Sequence, residues 1–351
     1  MIRSALALTA LTVSTGVAQA GGIDRSGTPI DIIFEEGNVA TLSYGYADPS
    51  LTGVDREGAN VRNIAASFGL VGVALKLDIA ENVSLAFILD EPYGVDVEYG
   101  PESAVLGGTL ADAESYGITT LVRYQATDRI SVYGGPRFVR AKGQINLGGS
   151  AYVLNGYESN FASDTGTGYV IGAAYEIPDI AFRAALTYHS EIDLSFDTTE
   201  TFRGVPVPTG TTNTTLPQSI KLAVQSGIAT DTLVFGSVRW VDHDVFMVIP
   251  PVFPGNLASL DSSITYELGI GRRFSERFSA RASVIYEDVL ADDLVSPLTP
   301  TSGFTALSIG GQYQLTEALD ISGGIRYTWL KDATAEVSDS VVASRQSRAV
   351  S

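Results

Sequence analysis

The sequence predicts an all-β transmembrane barrel, an antiparallel up-and-down sheet of about 13 to 14 strands. Three observations predict it. Apolar residues recur at every second position from Asn38 onward, which is the period of a strand and not of a helix. Short and long connections alternate along the chain, as they do when strands run up and down between periplasmic turns and larger external loops. Beyond the N-terminal leader no segment offers the about 18 consecutive apolar residues that a spanning helix requires, which leaves a closed sheet as the structure able to satisfy its backbone in lipid.

The leader itself reads as an export signal over residues 1–20. Arg3 gives a short positive region, 5–17 is almost wholly apolar or small, and Ala18-Gln19-Ala20 is an A-x-A cleavage site. The mature chain is then expected to begin at Gly21. The competing reading is a short N-terminal helix that stays attached.

The strands follow in order at 38–47, 61–78, 83–99, 114–125, 130–147, 167–176, 180–197, 217–228, 233–248, 263–274, 278–289, 304–314 and 320–333. Each is justified by one apolar parity: Ala40, Leu42, Tyr44 and Tyr46 in the first; Val83, Leu85, Phe87 and Leu89 in the third; Tyr116, Ile118, Val122 and Tyr124 in the fourth. Phe182, Ala184, Leu186 and Tyr188, then Ile264, Tyr266, Leu268 and Ile270, repeat it later, and Ile321, Ile325, Tyr327 and Trp329 close the series. The opposite parity carries Arg123, Arg137, Arg183, Thr187, Glu267, Arg281, Ser308, Gln312, Ser322 and Arg326. A soluble sandwich also alternates, but here the apolar faces end in Tyr or Trp, as interfacial girdles do, and the polar faces are rich in Gly and Ser. The tight turns fall at 78–82, 126–129, 177–179, 229–232, 274–277 and 315–319. The long loops fall at 49–60, 100–113, 148–166, 197–216, 249–262 and 291–303.

Composition bounds the function. With 40 acidic against 22 basic side chains and a formal net charge of −18, the chain lacks the basic surface that nucleic acid requires. Zero Cys removes disulfides, thiolate metal sites and a Cys nucleophile together. Catalysis has little to stand on: His189 and His243 are the two histidines, and no G-x-S-x-G, Walker A or H-E-x-x-H pattern occurs. Asp242, His243 and Asp244 would alternate across a strand and so fail to converge on a metal, and Asp288, Asp292 and Asp293 read as a solvated rim. Neither an enzyme nor a cofactor is expected.

Several short motifs carry a family likeness. Gly21-Gly22-Ile23-Asp24-Arg25-Ser26-Gly27 precedes a first strand ending Tyr46-Ala47-Asp48-Pro49, and the strand from Ser84 runs into Glu91-Pro92-Tyr93-Gly94. Tyr188-His189-Ser190-Glu191-Ile192, Leu216-Pro217-Gln218 and Ile285-Tyr286-Glu287-Asp288 follow in order. In these the chain resembles the outer-membrane long-chain fatty acid transporter family, the FadL type. The resemblance implies a monomeric barrel of about fourteen strands over 38–334, with residues 21–37 folded inward as a plug. It also implies a greasy groove among external loops, an internal pocket and a sideways exit at a kink in the third strand. The expected function is an uptake channel for long-chain fatty acids or other hydrophobic small molecules in the outer membrane of a Gram-negative bacterium. Its expected partners are that ligand, outer-membrane lipid and lipopolysaccharide, and the barrel-assembly machinery. The alternative is a general porin or a structural barrel without a selective pocket.

The residues supply their own reading of two of these parts. Pro92 lacks a ladder N–H and Gly94 has no side chain to pack, so Pro92-Tyr93-Gly94 breaks pairing; either the strand kinks there, with Val95 and Val97 resuming the alternation, or it ends at Asp90. Phe246, Val248, Val252 and Phe253, with Tyr152, Leu154, Tyr157 and Phe161, form apolar loop surface of the kind that marks binding sites, or else pack together to cap the mouth. The inward Arg residues are expected to pair with Glu176 and Glu267, and Arg137 and Arg183 are candidates to hold a ligand carboxylate.

The tail at 335–351 is polar and without an aromatic residue. It lacks the apolar run of a closing fourteenth strand, and truncation or a frame change is the expected reason.

Overall fold

The computed structural model describes residues 22–258, 260–290, 294–337 and 343–346, so the expected export signal lies outside the described residues. Thirteen long strands make the wall: β1 Val39–Ala47, β2 Phe68–Ala80, β3 in two pieces Val83–Asp90 and Gly94–Glu98, β4 Leu110–Gln125, β5 Ile130–Leu147, β6 Tyr157–Ile177, β7 in two pieces Phe182–His189 and Ile192–Phe202, β8 in two pieces Gly210–Leu216 and Ser219–Ala229, β9 Thr232–Val241, β10 Ser263–Arg273, β11 Phe278–Val289, β12 Phe304–Thr316 and β13 Leu319–Leu330. Each pairs antiparallel with the next.

Besides β2, which begins at Phe68 rather than near 61, three boundaries differ from the sequence reading. β6 begins at Tyr157 rather than near 167, so Tyr157 and Phe161 sit on a strand and not in a loop. The expected loop at 197–216 is largely strand, the upper pieces of β7 and β8 forming a hairpin above the membrane. β9 stops at Val241, and His243–Val245 is a short 3-10 turn. In each case a strand that leaves the lipid loses its outward apolar residues, and the lipid-facing pattern then fails as a guide.

The outward parity is apolar and exposed along the lower wall, as the barrel reading requires: Leu42, Tyr44, Ile118, Ile171, Leu186, Leu268 and Ile309 among others. Tyr116, Tyr169, Tyr266, Tyr286 and Trp329 stand at the upper end of these faces.

The N-terminal segment runs inside the wall. The 3-10 turn Ile30–Phe34 buries Ile30, Ile32, Ile33 and Phe34 among Ala74, Ala86, Ile88, Leu121, Tyr133, Val170, Ala174 and Ala185. Ala74, Ala86, Ala174 and Ala185 leave the space that lets a backbone segment lie within the lumen. Phe34 meets the Tyr133 ring edge-on at 5.3 Å, with the Arg183 guanidinium 4.4 Å and that of Arg123 4.8 Å from its ring centre. Arg123 also pairs with Glu176, as expected, while Arg281 and Arg326 lie in the field of Glu267.

Among the described residues no ladder joins β13 to β1. Both parities of β13 are exposed, and Ile325 and Leu42 are each 79% exposed. The described part of the tail takes no place in the wall: Ala333–Glu336 pairs with Leu294–Val295 and with Ala343–Gln346 in a small sheet of its own.

Two outcomes follow. Unpaired edge groups in hydrocarbon cost several kcal/mol each, so appending a strand of alternating Val/Tyr and Ser/Gly ending in Phe is expected to raise the heat-modifiable fraction on unboiled detergent gels; equal yield without it would show that the two edges already meet. Phe34→Ala removes packing of about 3–5 kcal/mol from the plug, and its expected effect is a higher leak conductance in planar bilayers with heat modifiability retained.

Candidate functional site

An apolar cavity of about 110 Å³ lies above the plug. Ile23 and Tyr93 form its floor; Val95, Ala111, Ile145, Phe161, Leu194, Phe196 and Leu216 form its wall, and Phe246, Val248 and Leu298 roof it. Its position comes from a set of register breaks at one level of the wall. Asp90 pairs with Gly117 but Gly94 pairs with Glu114, so β3 carries one extra residue and every side chain beyond it changes face. Val95 and Val97 therefore do not resume the lipid-facing alternation; they turn inward. β7 and β8 break in step at 190–191 and 217–218, which turns Ile192, Leu194, Phe196 and Leu216 inward too.

β3 is interrupted between Asp90 and Gly94, and its pairing with β4 resumes beyond. The β2–β3 ladder stops at Val73–Leu89, and beyond it the Glu91 carboxylate accepts from the Val71 N–H at 3.1 Å. The N-terminal segment supplies the missing strand: Gly94 donates to the Ile23 carbonyl at 2.9 Å, Arg25 to that of Pro92 at 2.8 Å and Ser26 to that of Glu91 at 3.2 Å. Ser115 Oγ accepts from the Tyr93 N–H at 2.9 Å and donates to its carbonyl at 2.8 Å. A Cβ on Gly94 would fall on the Arg25 guanidinium, which lies 4.2 Å over the Phe68 ring of β2. Arg25 thus plugs the space between β2 and β3.

Beneath the floor is a buried polar layer. Asp24 reaches across the lumen to Arg239 Nη1 at 2.5 Å, with His243 Nε2 3.9 Å away. Thr28 Oγ1 and Ser26 Oγ donate to Asp90 at 2.8 and 2.5 Å. Burial raises the Asp24 carboxyl, but the charge and hydrogen bond of Arg239, with His243 and Arg137 nearby, together outweigh burial and hold it below the usual carboxylate range. Burial pushes His243 down, towards the neutral form.

Of the expected ligand residues, Phe161, Phe246 and Val248 meet at the cavity. Tyr152, Leu154 and Phe253 pack behind it, with the Phe253 ring 5.2 Å from that of Tyr157. Tyr157 and the Val252 N–H both donate to the buried Glu200 carboxylate, which seats the 246–258 loop on the upper wall. Neither arginine lines the cavity. Arg137 lies under the floor, donating to Thr28 Oγ1 at 3.1 Å and to Tyr93 Oη at 3.4 Å; Arg183 lies on the plug's periplasmic side, bound to Gln225 at 3.2 Å. Asp242 and Asp244 converge on Ser262 while His243 turns towards Asp24. Asp288 pairs with Lys331, and Asp292 and Asp293 lie outside the described residues.

Sequence reasoning missed Leu194, Phe196 and Leu216. A signal was there. Ile192, Leu194 and Phe196 alternate with Asp193, Ser195 and Asp197, and carboxylates cannot face lipid, so the polar half must face external water and the apolar half the lumen. Val95 and Val97 against Asp96 and Glu98 carry the same signal.

The Asp24 contact makes a pH prediction. A carboxyl with a depressed folded value contributes its stability at neutral pH and loses it only as pH falls through that value. Leak conductance is therefore expected to stay flat from about pH 7 to 5 and to rise only below about pH 4, near the ordinary carboxylate value; a rise near pH 6 would assign plug retention to another group.

The geometry has known counterparts. A family model described as outer membrane protein transport protein (OMPP1/FadL/TodX) matches residues 36–350. The fold is similar to that of a Pseudomonas aeruginosa FadL homologue, with a TM-score of 0.71 at 14% identity over 95% of this chain and 94% of that one. It is also similar to the Ralstonia pickettii toluene transporter TbuX, at 0.64 and 13% over 95% of each chain, and to the Pseudomonas putida toluene transporter TodX, at 0.63 and 12% over 94% of each. Comparison with curated protein sequences gives no match.

Proposed function

This chain belongs to the outer membrane transport protein family OMPP1/FadL/TodX, and from that premise we propose that it takes up hydrophobic small molecules, holds them in the apolar cavity and releases them sideways between β2 and β3. The observation that carries this reading is the contiguity of cavity and kink. Tyr93, Gly94 and Ser115 line the cavity's lower end and are also the residues at which the wall ladder is replaced by the N-terminal segment. A general porin needs an open polar lumen; here the plug fills it.

The cavity favours a compact, uncharged ligand over a long-chain carboxylate. An apolar cavity of roughly 150 Å³ is enough to hold benzene, and the 110 Å³ here is of that order. The cation at its edge, Lys142, is engaged by Glu114 at 2.8 Å, and Asp112 beside it would repel an anion. Two neighbours in fold are toluene transporters, which agrees with that class. The lipid-facing side chains would sit against outer-membrane lipid and lipopolysaccharide, with insertion by the barrel-assembly machinery as a monomer.

Two measurements test the reading. Toluene is expected to displace a neutral fluorescent hydrophobe from the detergent-solubilised barrel at lower concentration than palmitate does, and the reverse order would restore the fatty acid. Pro92→Thr combined with Gly94→Val supplies the missing ladder donor and pushes Arg25 out. Uptake is expected to fall about tenfold or more with folding retained; unchanged uptake would move the exit to the barrel axis.

A further inference from the structure

The cavity has a second thin wall, far from the kink. A groove of about 710 Å³ lies on the external flank of β4 to β8. Asp112, Lys142, Gly143, Gln144 and Phe161 line both this groove and the apolar cavity, so a single layer of residues separates them. Phe161 is the one large apolar side chain in that layer. It is 8% exposed and meets the Phe196 ring edge-on at 6.0 Å.

The wall around Phe161 is held less firmly than the rest. On one side the β5–β6 register slips between Ala141 and Gly143, leaving Lys142 without a ladder partner in β6. On the other, the β6–β7 ladder runs from Phe182–Ile177 to His189–Val170, stops, and begins again at Thr198–Phe161. Across the interruption three polar contacts stand in for the ladder: Ser190 N to the Tyr169 carbonyl at 3.0 Å, Tyr169 N to Ser190 Oγ at 2.9 Å and Ser195 N to Asp164 Oδ2 at 2.7 Å. The Ile192 side chain lies over Gly166 and Gly168, where a Cβ would collide with it. Below Phe161 the panel is thus closed by side chains, which move by rotamer change, where elsewhere it is closed by backbone ladders, which do not.

We infer that Phe161 is a door, and that a compact, uncharged hydrophobe enters the cavity through the external flank of β5 to β7 rather than down through the loops at the top. The inference rests on the proposed transport function and adds its entry route. The cavity becomes a passage with Phe161 at its outer end and Tyr93 and Gly94 at its inner end. The groove outside is of mixed polarity, with Asp112, Gln144, Asn160 and Asp197 on its surface, and is far less apolar than the cavity; it would admit such a ligand and retain it less well.

The native chain has no Cys, so single cysteines can be modified cleanly. Ala162→Cys places a thiol in the groove but not in the cavity lining, and Val153→Cys places one at the top of the loops, at a residue 82% exposed. Each full-length variant is labelled with a biotin methanethiosulfonate, and the binding of toluene as the probe is followed by stopped flow through the change in protein tyrosine fluorescence. Labelling at 162 is expected to lower the association and dissociation rate constants together by about tenfold at unchanged affinity, since an obstruction on the path shifts both rates and no equilibrium. Dithiothreitol should restore them, and labelling at 153 should change neither. Slowing at 153 with normal rates at 162 would overturn the door and assign entry to the loops. A change of affinity at 162 with the association rate intact would overturn it as well, by making the groove part of the binding site. If the unlabelled chain fails to bind the probe, the transport reading itself falls, and that outcome is distinct from the other two.

Discussion

The structure depends on one constraint: inside hydrocarbon every backbone N–H and C=O must find a partner within the protein. A complete set of ladders meets it but makes a closed wall, and a sideways passage needs the wall interrupted. Between neighbouring strands along the wall, this chain interrupts its ladders at β3 and between β6 and β7, and at both places something else supplies partners. At β3 the replacement is backbone from the N-terminal segment, with Ser115 and Glu91 contributing side chains. Between β6 and β7 it is Ser190 and Asp164. The second set begins at the Tyr169 and Tyr188 pair, whose rings are 5.9 Å apart, and runs to the water side of the girdle, where a few unpaired groups cost less because solvent can reach them.

The same interruptions create the cavity. One extra residue in β3 against β4 and one in β6 against β5 exchange the faces, and β7 and β8 exchange theirs in step with β6. Below the breaks the outward face is apolar while the inward face mixes charged residues with the apolar ones that hold the plug; above them the apolar residues of β3, β7 and β8 turn inward and the polar ones outward. The lumen accordingly holds four layers: a charged periplasmic vestibule around Arg123, Glu176 and Arg183, the apolar plug, a buried polar layer, and the apolar cavity. The plug spans the boundary. Its backbone repairs β3 on one side while Asp24 grips Arg239 on the other, so a single short segment seals the wall and fills the lumen. That coupling gives a physical reason for Asp24 to be a carboxylate in so buried a place, since a neutral isostere would leave Arg239 as an uncompensated charge.

Much of the wall was legible in the residues. A period of two with Tyr or Trp at the ends of the apolar faces, and short turns alternating with long loops, determined an up-and-down transmembrane sheet and the count of thirteen strands, because lipid contact imposes one rule on every strand at once. The break at Pro92 and Gly94 was legible too, because a missing N–H and a missing Cβ act locally. The apolar loop around Phe246 and Val248 was visible as a patch that water would not favour. What only the tertiary structure decided was everything that depends on register. One extra residue in β3 is invisible in a pattern that keeps its period across the break, yet it turns Val95 and Val97 from lipid to lumen. Whether Arg137 and Arg183 reach the cavity depended on which level of the barrel each occupies relative to a plug that arrives from far away in sequence. The Asp24–Arg239 contact joins residues with no local relation at all. Periodicity reports which residues share a face; only the paired strands say which face that is.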